Sequence, residues 1–147
     1  MKVVLQIVKE ANVKVNNVLI NKIKNGYLLL VGIDEYDNEE IVKKMASKII
    51  NLRINKDSND KTNLTISQVD GEILAISQFT LCAILDSRRP SFSHAAKADM
   101  ALRLYELLVD ELNNQGIKTK KGAFGEHMEV SLINDGPFTL AILDKDL

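Results

Sequence analysis

The sequence predicts an α+β domain, and three observations carry that expectation. Several runs are rich in β-branched and aliphatic residues and short enough to be strands. Two stretches, near residues 37–50 and 94–115, instead place apolar residues at helical spacing. The order along the chain is strands, helix, strands, helix, strands, which is not the regular alternation of a parallel α/β fold. At 147 residues the chain can bury a core and is taken as one domain, 1–147. Its content, 46% hydrophobic and 27% charged, fits a soluble globular protein.

Residues 3–8 form the first expected strand, rich in β-branched side chains. Val13-Lys14-Val15 and Val18-Leu19-Ile20 follow as two short strands about the turn pair Asn16-Asn17. After Asn25-Gly26, residues 27–33 are apolar on both faces, the pattern of a central buried strand. Asp37 and Glu40 stand at capping-box spacing before the first helix, with Asp in place of the usual Ser or Thr. Ile41, Val42, Met45, Ala46, Ile49 and Ile50 then share one helical face. Residues 55–63 are polar and turn-like, a surface loop. A short strand at 64–66 and a hairpin-type turn at Asp70-Gly71 lead into a second long strand, 72–81. A loop at 86–93 carries Arg88-Arg89-Pro90. The second helix is expected over 94–115, with Ala98, Ala101, Leu102, Tyr105, Leu108, Val109 and Leu112 on its buried face and Gly116 at the C′ position. Two last strands, about 128–133 and 138–143, flank Asp135-Gly136-Pro137.

The bulk chemistry excludes some functions. A net charge of -1 provides no global field to gather nucleic acid, so a wide duplex-binding surface is not expected, although a pocket for one RNA end needs few cations. Cys82 is the single cysteine, and no metal-type Cys/His cluster exists, so a reduced, metal-free, cytoplasmic protein is expected. The first six residues are too polar for a signal peptide, and no apolar run approaches the roughly 18 residues that cross a membrane.

Two segments do not read as plain core. Ser77-Gln78-Phe79-Thr80-Leu81 ends an apolar run, so a buried strand turns polar towards its C-terminal end. It fits a strand reaching the surface, and equally a pocket floor whose backbone N–H groups face a ligand carbonyl. Asn134-Asp135-Gly136-Pro137-Phe138-Thr139 fits a plain turn, and its Gly-Pro bond carries a cis option that other bonds lack. Hydrolase alternatives are thin. There is no G-x-S-x-G elbow, and His94 and His127 read as surface or capping histidines. Lys118, Lys120, Lys121, Arg88 and Arg89 fit a solvated face or a local basic rim.

Together the two segments resemble the signature motifs of the D-aminoacyl-tRNA deacylases. Arg89-Pro90-Ser91-Phe92, Leu52-Arg53-Ile54 and Gly122-Ala123-Phe124-Gly125 with Met128 resemble the same family, and the similarity runs from Val3 to about Leu143. The resemblance implies a compact barrel-like sheet with two main helices, in a homodimer with active sites at the interface. It implies hydrolysis of the ester of D-aminoacyl-tRNA, and of mischarged Gly-tRNA, with no cofactor or metal. The partners implied are the 3′ end of an aminoacyl-tRNA and a second copy, with neither membrane nor DNA. By the same resemblance Ser77, Gln78, Phe79 and Thr80 form the catalytic segment, with N–H groups near Gln78 and Phe79 on the carbonyl and Thr80 positioning rather than attacking. Phe124 and Met128 would pack near the adenosine, and Arg89 and Thr139 would contact substrate. Gly136 and Pro137 would come from the other subunit, in cis, and reject L-amino acids with main-chain carbonyls.

Two departures bear on that filter. The family commonly has Arg after the first-strand Gln, where this chain has Ile7 after Gln6, and typically Val after Gly-Pro, where it has Phe138. A substitute brace is expected: Arg53, a backbone N–H, or an apolar clamp of Ile7 and Phe138. The rival readings are a relaxed deacylase that takes small L-amino acids, and a non-enzymatic binding module on the same fold, which the near-neutral charge disfavours.

Overall fold

The computed structural model describes residues 1–147. Its strands are β1 (Lys2–Val15), β2 (Val18–Ile23), β3 (Gly26–Gly32), β4 (Asn55–Lys56), β5 (Thr62–Leu64), β6 (Glu72–Ser77), β7 (Thr119–Lys121) and β8 (Glu129–Leu143), and its helices are α1 (Glu39–Asn51) and α2 (Ala98–Asn114). The α+β class is as expected.

The strands expected at 3–8 and 13–15 are one 14-residue strand, β1. Asn16 (φ 49°) and Asn17 (φ 64°) both take the left-handed conformation that the tight β1–β2 hairpin turn needs. β1 pairs with β8 along its length, but on its other side with β3 through residues 2–8 and with β2 through residues 11–15. One strand serving two neighbours in succession forces the sheet, ordered β2-β1-β3-β6-β7, to bend. β2 thereby curls back onto β7. Asn21 Nδ2 donates to the Lys121 carbonyl and Lys120 Nζ to the Lys22 carbonyl, each at 2.7 Å. The result is a nearly closed, barrel-like sheet.

Residues 27–33 are the central strand, buried on both faces as expected. Alternation splits the core in two. Tyr27, Leu29 and Val31 of β3, with Ile73 and Ala75 of β6, face the helices in the larger cluster. Leu28, Leu74 and Ile76 face into the curl with Val8, Ala11, Val13 and Ile23. Burial pushes the Tyr27 phenol up to about 12, against the opposing effect of its hydrogen bond from Asn55 Nδ2 at 2.7 Å.

Several expected boundaries move. The cap of α1 is Asn38, whose side chain accepts from the Ile41 N–H at 3.1 Å. Asp37 is instead buried, paired with the Met1 ammonium and accepting from the Asp34 N–H at 2.6 Å. Asn55 is buried, and residues 55–63 hold the β4–β5 hairpin rather than only a loop. Asp70 (φ 53°) ends a 3-10 turn, Ser67–Val69, and β6 then runs parallel to β3, so Asp70-Gly71 makes no hairpin. The second helix begins at 98 rather than 94, because Ala95 and Ala96 are held extended by an Asp34–Ala95 bridge and an Ala96 N–H bond to the Ile33 carbonyl at 3.0 Å. Leu104 completes its buried face, from which Ala98 and Leu102 are missing, both being exposed. Gly116 (φ 90°) closes α2 with the Ile117 N–H on the Leu112 carbonyl at 3.1 Å. The last two expected strands are a single 15-residue strand, β8. No helix is long and apolar enough to cross a membrane.

Candidate active site

Because β3 and β6 are parallel, their C-terminal ends lie side by side. Their pairing ends at Val31 and Ser77, and the Gln78 N–H makes one further bond to the Val31 carbonyl at 2.8 Å. The chain then turns into a 3-10 helix, Phe79–Cys82, so the expected strand 72–81 stops at Ser77. The Leu81 and Ala83 N–H groups close that turn, which leaves the Phe79 and Thr80 N–H groups without an acceptor inside it. A pocket of about 490 Å³ opens here, mostly apolar in its lining. Leu30, Val31 and Ile76–Phe79 make one wall, Ala95, Ala96, Ala98 and Ala101 at the start of α2 a second, and residues 124–128 a third.

The structure thus brings together Ser77, Gln78, Phe79, Phe124 and Met128. Thr80 adjoins them, its hydroxyl accepting a hydrogen bond from Gln78 Nε2. Phe124 tilts against Tyr105, with ring centroids 5.9 Å apart, and the Tyr105 hydroxyl donates to the Ala75 carbonyl at 2.8 Å. Burial raises the Tyr105 phenol well above its ordinary value. Gly122 lets Met128 reach the pocket: a Cβ there would stand 2.8 Å from the Met128 sulfur and 2.9 Å from Ile76.

Gly136, Pro137, Thr139 and Arg89 do not line this pocket. Gly136–Pro137 is cis, as the resemblance implies. Asn134 sits opposite Val8 and Thr139 opposite Gln6, so residues 135–138 bulge over Ile7 alone. Gln6 Nε2 donates to the Thr139 hydroxyl at 3.3 Å. Arg53 is not the substitute brace, since its guanidinium is spent on Asn63, including Nε to the Asn63 carbonyl at 2.8 Å. Ile7 and Phe138 both pack against the larger core cluster.

The expected N–H of Gln78 is taken by the sheet, so the donors available to a ligand move one residue on, to Phe79 and Thr80. The basic rim also divides. Lys118 pairs with Glu72 at 2.8 Å and Lys121 with Glu106 at 3.0 Å, away from the pocket, and the Lys118 hydrogen bond holds the Glu72 carboxyl below its usual range. His127, read from sequence as a surface or capping histidine, lines the pocket, as does Glu126, which the sequence did not single out. The alanines of the second wall were the missed signal, since four small residues within 95–101 leave room beside a helix start.

Comparison with known proteins agrees with this geometry. The family described as D-Tyr-tRNA(Tyr) deacylase matches residues 4–143. A D-aminoacyl-tRNA deacylase of Thermosipho africanus (strain TCF52B) is 47% identical over 146 residues, spanning 99% of this chain and 98% of that protein. A protein of the same name from Flavobacterium psychrophilum is 45% identical over 148 residues, spanning 99% of each. Among solved structures, a c-Myc DNA unwinding element binding protein superposes with a TM-score of 0.93 at 34% identity, covering 97% of this chain and 98% of the other. A probable eukaryotic D-amino acid tRNA deacylase, 16% identical with a TM-score of 0.83 over 96% of this chain and 97% of its own, shares the fold. With the match running almost end to end, the chain belongs to the D-Tyr-tRNA(Tyr) deacylase family.

Proposed function

We infer that this single 1–147 unit is a D-aminoacyl-tRNA deacylase, which hydrolyses the ester between a D-amino acid and the 3′ end of tRNA. One observation carries the reading: Ser77–Phe79 and Phe124–Met128, distant in sequence, face each other across one pocket in a chain of this family. An aminoacyl ester is already activated, so positioning and oxyanion stabilisation suffice for useful rates. The Phe79 and Thr80 N–H groups are the donors for the developing oxyanion. No general base is hydrogen-bonded to Thr80, so its hydroxyl positions rather than attacks, and the terminal 2′-hydroxyl of the tRNA assists the hydrolysis.

The chirality filter needs a second copy. Gly136 and Pro137 lie on an exposed bulge outside the pocket of their own chain, so a partner supplies them in a homodimer. Main-chain carbonyls set against the α-carbon exclude an L side chain without reading the D one. Glycine has nothing to exclude, so Gly-tRNA is cleaved as well. The Ile7–Phe138 clamp supports the segment in place of an arginine, and the enzyme works in the cytoplasm. Binding of a DNA element, which its name states of the 34%-identical neighbour, is not favoured for this chain, because a net charge of -1 supplies no global field to gather a duplex.

The test is deacylation of D-Tyr-tRNA, L-Tyr-tRNA and Gly-tRNA by purified protein, with and without EDTA. The first and third should be cleaved, the second spared, and EDTA should change nothing once tRNA folding is controlled. Inert D-Tyr-tRNA sinks the reading, equal rates on the D and L esters sink the filter, and EDTA inhibition reversed by a divalent ion sinks the metal-free chemistry.

A further inference from the structure

An exposed aromatic pair runs from the wall of the pocket onto the surface beside it. Phe79 is 55% exposed and Phe92 38% exposed, yet their rings meet edge to face, with centroids 5.0 Å apart and planes at 70°. Phe79 belongs to the pocket wall, whereas Phe92 comes from an arm whose base is pinned by two bonds between Ile84 and Ser91, at 2.8 and 3.0 Å. Exposed rings held together at a pocket mouth mark a contact surface.

The charge beside them is distinctive. Over residues 86–97 the chain carries Arg88, Arg89 and Lys97 against only Asp86, in a protein whose net charge is -1. None of those three cations is held in an ion pair, as most of the chain's cations are not, so all three are available to a ligand. Open aromatic faces next to free cations are the composition of a single-stranded nucleic-acid platform. The buried centre of a protein interface is depleted in charge, which disfavours a second copy at this spot.

We propose that Phe79, Phe92 and Arg88 form a platform for the single-stranded nucleotides preceding the terminal adenosine, the bases stacking on the rings and a phosphate meeting Arg88. The proposal rests on the deacylase reading and extends it. An aminoacylated adenosine in the pocket has its strand leaving by the mouth, and Phe79 of the pocket wall carries the ring pair outward to Phe92.

The experiment compares D-tyrosyl-tRNA with D-tyrosyl-adenosine, which lacks the preceding nucleotides. Phe92→Ala and Phe92→Leu should each raise KM for the tRNA about tenfold and leave the adenosine ester unchanged, while Phe92→Tyr keeps wild-type values. Arg88→Gln should flatten the slope of log kcat/KM against log salt by about 0.7 on the tRNA only. Wild-type behaviour of Phe92→Leu on the tRNA, or equal slowing of both substrates by Phe92→Ala, overturns the platform. A fall in oligomeric mass with Phe92→Ala also overturns it, by assigning the surface to a second copy. If the wild-type protein hydrolyses neither substrate, the deacylase reading fails and this proposal with it.

Discussion

At the residue scale, Thr80 is the informative side chain. Its hydroxyl accepts from Gln78 Nε2, and no histidine or carboxylate shares that bond to take its proton. A hydroxyl without a base is a weak nucleophile. Thr80→Ala should therefore slow deacylation by no more than about a hundredfold, the scale of losing one positioned polar contact. Loss of the nucleophile would instead cost on the order of 10⁴-fold or more. Single-turnover rates on D-Tyr-tRNA separate the two, and an acyl group trapped on Thr80 in mass spectrometry would overturn the positioning role. That Ser77, Gln78, Phe79, Phe124 and Met128 lie together was legible because the first signature segment and the Gly122–Gly125 stretch with Met128 resemble one family, whereas Gly136 and Pro137 of the second signature segment lie outside this pocket. Glu126 and His127 were not legible, since a pocket wall built from an irregular segment has no period to read.

At the element scale, the sequence marked where elements exist better than how they join. The apolar run at 27–33 reads as a buried strand because both of its faces are apolar, and it is one. The run at 72–81 reads the same way, yet it ends at Ser77, because after Gln78 the residues Phe79–Cys82 trade ladder bonds for a 3-10 turn and no local propensity announces that exchange. Asp70-Gly71 resembles a hairpin turn, but the strand after it pairs in parallel with β3, Gly26 opposite Glu72, a choice made by tertiary packing. That parallel pairing is tight at its start. A Cβ on Gly26 (φ 152°) would lie 1.8 Å from the Glu72 carbonyl oxygen and 2.6 Å from the Glu72 nitrogen, both backbone atoms that cannot swing aside. Gly116 also has positive φ (90°), but nothing stands within 4 Å of its Cβ position. Gly116→Ala should thus cost about 1–2 kcal/mol, the conformational term alone. Gly26→Ala should cost more than about 4 kcal/mol, because the β3–β6 ladder must open as well. Urea denaturation of both variants measures the difference, and equal midpoints would show that β3 and β6 are not in this close register.

At the scale of the whole molecule, β8 is the element whose environment a single chain leaves incomplete. It pairs only with β1, so its other edge offers a row of unpaired N–H and C=O groups over a strand of 15 residues. Adjacent residues on a strand point to opposite faces, yet Leu132 (36%) and Ile133 (49%) are both exposed, so β8 is uncovered on both sides at that point. The Gly136–Pro137 bulge lies three residues further along the same strand, outside its own pocket. A second copy seated on β8 would cover the apolar side chains and the edge together, and would carry each bulge towards the other chain's pocket. The homodimer and the cross-subunit filter are therefore one proposal, and a single substitution tests both. Ile133→Asp places a charge on the uncovered strand, at a residue that does not line the pocket, where it removes no core contact. It should shift the sedimentation mass from dimer to monomer, leave the far-ultraviolet circular dichroism unchanged, and abolish discrimination between D-Tyr-tRNA and L-Tyr-tRNA, with most of the activity lost. A monomer that still cleaves the D ester and spares the L ester at the same protein concentration would show that each chain carries its own filter, and the two-chain site would have to be abandoned.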